Sequence, residues 1–157
     1  MVEQISSFFT IDMIYLWLNV GIIPFWFVLI FFPNSKICSV FVSSIFPIFI
    51  LSLIYLYLVY FFYVTGYDFG QNFSLYLSLD SLNQLFNEKA FLIIFWTHFI
   101  AINLFCGSWV VSDSKKFSMS KILVFFPLVI TYFIGPFGVF IYWLIRIFFA
   151  KKISLYD

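Results

Sequence analysis

The sequence predicts an all-α integral membrane protein, a bundle of four transmembrane helices with helices one and four kinked at Pro24 and Pro136. Three observations predict it. Four stretches, about 13–32, 40–63, 90–111 and 122–149, are almost free of charge, and each meets or exceeds the roughly 20 apolar residues an α-helix needs to cross a hydrocarbon core. The chain is 64% hydrophobic and 10% charged, with a mean hydropathy of +1.10, which leaves too little polar surface to cover a soluble globule. Backbone in lipid must satisfy its own N–H and C=O groups, so segments that cannot close a barrel are restricted to helix. The 157 residues have room for one four-span domain, 1–157. An even number of spans then puts both termini, probed for example at positions 3 and 155, on the same side.

The first stretch exceeds the roughly 7–15 apolar residues of a signal-peptide core. It follows Glu3 and Asp12 rather than a basic segment, and ends at Phe32-Pro33-Asn34-Ser35-Lys36 without an A-x-A-like site. It is therefore expected to stay as a span. Pro24 frees the carbonyl of Val20, and Gly21 beside it would let a neighbouring helix approach closely.

The second stretch lies between Pro33-Asn34-Ser35-Lys36 and Thr65-Gly66-Tyr67-Asp68, both turn signals. Pro47 should bend its entry. Tyr55, Tyr57, Tyr60 and Tyr63 gather toward its carboxyl end, either as an interfacial aromatic belt or as a wall for a polyene or ring ligand. The one long polar connection follows, and within it Leu75, Leu79, Leu82, Leu85 and Phe86 recur at helical spacing. This predicts an amphipathic surface helix at about 75–87. Asp80 and Glu88 could serve as general acid and base or be solvated loop charges.

The third stretch carries Trp96, His98 and Asn103 in an otherwise apolar helix. Polar side chains at membrane depth usually face protein and find a partner there, so they are functional candidates. At about 100° per residue Trp96 and Asn103 share a face, with Gly107 one turn on, while His98 lies roughly 140° from Asn103. Asn19 and Thr131 are the expected partners. His98 is either an interhelical hydrogen-bonder or a proton donor or ligand.

The fourth stretch is too long for one straight crossing, and Gly135-Pro136-Phe137-Gly138 interrupts it near the middle. Pro136 removes a bond to Tyr132 and the glycines expose backbone. The outcome is a kinked helix or a broken one lining a cavity. A cleft at this turn, faced by Gly107 and Trp109, would suit a long apolar ligand. Arg146 is expected to snorkel toward Lys151 and Lys152.

Several classes are excluded. A net charge of +1 without a basic stripe gives no nucleic-acid partner. A single histidine cannot supply a di-iron centre or a two-histidine haem. No cluster suits zinc, no glycine-rich loop suits phosphate, no serine has a plausible base, and no mid-membrane lysine suits a retinal Schiff base. No metal and no cofactor is therefore expected. Cys38 and Cys106 read as free thiols. The cations divide evenly over four spans, Lys36, Lys115, Lys116 and Lys121 against Lys89, Arg146, Lys151 and Lys152, so the positive-inside rule ties.

The runs Leu18-Asn19-Val20-Gly21-Ile22-Ile23-Pro24-Phe25-Trp26, Phe32-Pro33-Asn34-Ser35-Lys36, Tyr55-Leu56-Tyr57-Leu58 and Trp96-Thr97-His98-Phe99-Ile100-Ala101-Ile102-Asn103-Leu104-Phe105-Cys106-Gly107, then Asp113, Gly135-Pro136-Phe137-Gly138 and Arg146, carry a resemblance over nearly the whole chain. In order and punctuation they resemble the abscisic-acid-deficient-four-like membrane proteins. That family includes a plant chloroplast member required for making neoxanthin and bacterial homologues of unknown function.

The resemblance implies a bundle that binds membrane lipid and a carotenoid or other isoprenoid and assists its conversion, as an isomerase-like activity if it is an enzyme. It places the family's intramembrane histidine on His98 and its acidic residue on Asp113. It also puts Asn103, which cannot titrate, where the family commonly has Asp. The ligand-binding candidates are Trp96, His98, Asn103, Gly107, Asp113, Gly135, Pro136 and Gly138, with His98 the catalytic candidate. The alternative is a non-enzymatic accessory or scaffold subunit of a membrane-protein complex, which Asn103 and the lack of a complete catalytic set favour.

Overall fold

The computed structural model describes residues 9–151, and every regular element among them is helical. In chain order these are α1 (Ile11–Phe31), a π-helical turn (Cys38–Val42), α2 (Phe46–Val64), a 3-10 segment (Phe69–Tyr76), α3 (Leu79–Asn87), α4 (Lys89–Lys116), α5 (Lys121–Ile134) and α6 (Pro136–Ala150). Three helical segments are long and apolar enough to cross a membrane: Ile11–Phe31, Cys38–Val64 and Lys89–Lys116. At 14 and 15 residues, α5 and α6 are each about 21–23 Å long, short of a hydrocarbon core of roughly 30 Å.

In α1 the buried residues Ile14, Leu18, Ile22, Trp26 and Leu29 recur every three or four positions. The opposite face shows Trp17, Val20, Ile23 and Phe27, so the helix is apolar all round, as one immersed in lipid must be. Pro24 lies inside this helix. Gly21 has nothing within 4 Å of an added Cβ, so the close helix approach expected there is not made.

The second stretch enters through the π turn, where the Ser43 N–H donates to the Cys38 carbonyl at 2.7 Å. Its α-helix starts only at Phe46. Pro47 thus falls in the first turn, where a missing N–H forfeits no helical bond. In the polar connection, Asp68 caps the 3-10 segment by accepting from the Gly70 N–H at 2.8 Å. The Tyr67 hydroxyl donates to Asn72 Oδ1 at 2.7 Å, and burial pushes its phenol above the ordinary value.

Ser78 Oγ accepts from the Ser81 N–H at 3.1 Å and starts α3. The surface helix is therefore shorter than expected, because residues 69–76 are taken by the 3-10 segment. Its Leu85 is buried and its Phe86 ring meets Phe91 and Phe95 of α4 at 5.4 and 4.9 Å. Helix α4 runs five residues beyond the expected end at 111. Lys115 and Lys116 in its last turn suit the negative end of the helix dipole.

The fourth stretch differs most from expectation: it is a hairpin of two helices, not one kinked span. The Gly135 N–H closes α5 on the Thr131 carbonyl at 2.9 Å. Gly135 then adopts φ +56° and ψ −101°, a conformation that side-chain-bearing residues rarely tolerate. Pro136 takes the first position of α6, where proline is at home. The Gly138 and Val139 N–H groups both return to the Gly135 carbonyl. A Cβ at Gly138 would land on the backbone nitrogen and Oγ1 of Thr131 and lie 2.6 Å from the Pro127 carbonyl oxygen. In a continuous helix Pro127 and Gly138 would be about 16 Å apart. Their contact means that the chain reverses at Gly135 and that α6 packs back along α5.

Residue contacts gather in two clusters, one formed by Met1–Val20 with Phe49–Ala101 and the other by Gly21–Ile48 with Ile102–Asp157.

Candidate functional site

The second cluster contains a buried polar constellation at the hairpin. Asp113 on α4 and Tyr142 and Arg146 on α6 are 3%, 0% and 2% exposed. Asp113 Oδ2 accepts from the Tyr142 hydroxyl and from Arg146 Nε, each at 2.7 Å. Tyr142 and Arg146 are one helical turn apart, so one face of α6 presents both donors to a single carboxylate oxygen. The Arg146 guanidinium also lies 5.0 Å from the centre of the Phe117 ring, a cation–π arrangement, and Trp109 meets Tyr142 edge-on at 5.5 Å. Arg146 does not snorkel to the surface, which corrects the expectation. A buried carboxylate and guanidinium each need a counter-ion away from water, and here each supplies the other's.

Closer to the turn, the hairpin is held by small residues. A Cβ at Gly135 would sit 2.5 Å from Asn103 Oδ1, so the buried Asn103 amide packs on the backbone of the turn. A Cβ at Gly107 would sit 2.8 Å from the Trp26 ring, and that ring in turn meets Tyr132 of α5 at 5.3 Å. The three glycine positions are filled by neighbours, so the space required by a cleft at Gly135-Pro136-Phe137-Gly138 is occupied. The expected partners of Asn103 are engaged elsewhere: the Thr131 hydroxyl donates to the Pro127 carbonyl at 2.7 Å, and Asn19 bonds within the first cluster.

In that first cluster the Trp96 indole N–H donates to Asn19 Oδ1 at 3.3 Å, and Asn19 Nδ2 donates to the Tyr15 carbonyl at 2.7 Å. The Trp96 ring meets Tyr15 and Phe99. His98 is exposed and bonds to no other described residue, so the interhelical partner expected for it is not found among the described residues. Its neighbour Thr97 is the buried one, with its hydroxyl on the Ile93 carbonyl. The predicted candidates therefore separate. Asn103, Gly107, Asp113, Gly135 and Gly138 belong to the hairpin, Trp96 to the Asn19 pair, and His98 and Pro136 are exposed.

The first cluster also has a cleft of about 480 Å³, lined by Phe9, Ile14 and Trp17 on one side and Leu53, Ile54 and Tyr57 of α2 on the other. Trp17 and Tyr57 are the lining residues that carry a polar side-chain atom. Sequence reasoning left Tyr57 open between an interfacial belt and a ligand wall, and did not single out Phe9, Ile14 or Trp17. It also missed Tyr142, whose signal was present as Tyr and Arg at i, i+4 in an apolar helix. Among the described residues no group of three His, Cys, Asp or Glu side chains could hold a metal.

A model of the ABA DEFICIENT 4-like (ABA4-like) family matches residues 13–142. No curated protein and no solved structure matches the chain. The match begins within α1 and ends at Tyr142, taking in the hairpin turn and the Asp113 carboxylate, and by its extent the chain belongs to the ABA4-like family.

Proposed function

We propose that this ABA4-like protein is a multi-pass membrane protein that binds an isoprenoid ligand of the carotenoid class in the cleft lined by Phe9, Ile14, Trp17, Leu53, Ile54 and Tyr57. The carrying observation is the cleft itself. Its volume of about 480 Å³ falls within the roughly 300–1,000 Å³ of small-molecule sites. Its walls are apolar and aromatic, with two polar-tipped rings to orient one end of a chain that has almost no polar atoms of its own. No carboxylate, histidine or lysine is among the described residues that line it, so binding is better supported than conversion. The reading as an accessory subunit rests on a separate observation: Asp113, the family-type acid, is committed to Arg146 and Tyr142.

The hairpin supports one arrangement in the membrane. With α1, Cys38–Val64 and α4 each crossing once, and α5–α6 entering and leaving on one side, the described ends lie on opposite sides. Positions 3 and 155, at which the opposite expectation was framed, lie outside the described residues. Lys36, Lys115, Lys116, Lys121 and Lys151 then share one side, and Lys89 stands with Asp12, Asp68, Asp80 and Glu88 on the other. This arrangement would break the tie in the positive-inside rule and keep the lysine-rich side inside.

The test is extraction in mild detergent from isoprenoid-producing cells, followed by organic extraction, absorbance and mass spectrometry. The wild-type protein should retain an isoprenoid near stoichiometrically, and Leu53→Trp, which fills the cleft, should lower retention at least fivefold while the helical spectrum is unchanged. Equal retention by folded Leu53→Trp, or no isoprenoid on either protein, would contradict the proposal.

A further inference from the structure

We propose that a second, polar pocket beside the hairpin binds a phosphate group. It has a volume of about 300 Å³, and Asn34, Ser114, Lys115, Ser118 and Lys121 supply its polar lining. It lies wholly within the second cluster and shares no residue with the isoprenoid cleft, so the two proposals stand or fall separately.

Four features give the pocket its sign. Lys115 and Lys121 are both exposed and neither makes a salt bridge with a described residue, so their ammonium groups are available to a ligand. Lys36 and Lys116 add positive charge within two residues of lining positions. No acidic residue occurs at positions 31–41 or 114–124, and the nearest carboxylate in the chain, Asp113, is already neutralised by Arg146. Two of the carbonyls at the end of α4, which would repel an anion, are occupied: Ser118 N–H donates to the Lys115 carbonyl at 3.2 Å and Met119 N–H to the Ser114 carbonyl at 3.0 Å.

The chemistry that fits is a phosphate oxyanion held by two ammonium groups, with hydroxyl and amide donors from Ser118 and Asn34. Two sources carry that chemistry. One is the headgroup of an anionic phospholipid, the other a soluble phosphate or diphosphate. Each lysine close to an anionic membrane surface strengthens attraction by about fivefold, so the pair is worth roughly 25-fold.

The experiment uses the full chain in nanodiscs of phosphatidylcholine with and without phosphatidylglycerol, and in detergent with inorganic phosphate or pyrophosphate. Bound lipid is read by native mass spectrometry and soluble anions by thermal shift. Enrichment of phosphatidylglycerol on wild type, lowered about 25-fold in Lys115→Gln/Lys121→Gln and by no more than the about fivefold of one surface lysine in Lys151→Gln, supports the headgroup form. A phosphate- or pyrophosphate-dependent thermal shift lost in the same double variant, with no phospholipid enrichment, supports the soluble form. Binding of every anion unchanged in the folded double variant, or lowered equally by Lys151→Gln, would overturn the proposal by showing diffuse surface charge only.

Discussion

The hairpin cluster and the cleft cluster bury their residues in opposite ways. Of the six buried polar or charged side chains among the described residues, Asn103, Asp113, Ser114, Thr131 and Arg146 belong to the hairpin cluster and Thr97 to the other, where its hydroxyl is spent on its own helix. The cleft cluster buries almost only apolar groups such as Leu51, Leu58, Phe62, Ile93 and Ile94. In lipid, apolar side chains gain little by leaving one apolar neighbour for another, so specificity comes from small-residue packing and polar contacts. The hairpin cluster has both, which fixes one geometry. The cleft cluster has few, and a slot that an apolar ligand can enter is the consequence.

If this contrast is right, the largest loss of stability should come from Arg146→Ala or Asp113→Ala. Each leaves one buried charge without its counter-ion, at a cost of about 3–5 kcal/mol. Unfolding in mixed micelles with increasing dodecyl sulfate checks this. The double variant Asp113→Leu/Arg146→Met should recover most of the loss, because no charge is left stranded. A double variant as unstable as the sum of the singles would show that the pair is not one unit.

Gly138→Leu comes next, at about 1–3 kcal/mol, the usual cost of overpacking, because its side chain would displace Thr131 and the Pro127 carbonyl. The same measurement applies, and a stability equal to wild type would mean that α6 does not lie against α5. In the cleft cluster Trp96→Phe should cost only about 0.6 kcal/mol, a typical interhelical hydrogen bond in a membrane protein. His98→Ala, at an exposed and unbonded position, should stay within about 0.5 kcal/mol. A larger loss at His98 than at Trp96 would reverse the contrast and point to a partner for the imidazole.

The sequence announced the helices well because apolar length is a one-dimensional property. The bodies of α2 and α4 follow from the apolar runs 40–63 and 90–111, although α2 begins only at Phe46 and α4 continues to Lys116. What it did not announce is direction. A Gly-Pro pair in an apolar stretch reads as a kink, a break or a reversal alike, and the choice depends on whether Gly138 can approach Thr131 and Pro127, a contact between residues seven and eleven positions apart. The ends of the elements failed for a related reason. Residues 112–116 are polar and lie beyond the expected end of the span, yet they stay helical, and Asp113 among them meets Arg146 of α6. Helical-wheel angles placed Trp96 and Asn103 on one face, but they could not say that Thr97 rather than His98 is turned inward. Asp113 was identified through the family resemblance. Tyr142 needed the third dimension.

The central claim is that the chain after Lys121 enters and leaves on one side. The direct measurement is membrane-impermeant thiol labelling of Lys116→Cys, Lys151→Cys and Leu77→Cys, one at a time, in a chain with Cys38 and Cys106 replaced by alanine. The account predicts that Lys151→Cys labels from the same side as Lys116→Cys and from the side opposite to Leu77→Cys. Labelling of Lys151→Cys together with Leu77→Cys would mean a full fourth crossing and would contradict the hairpin.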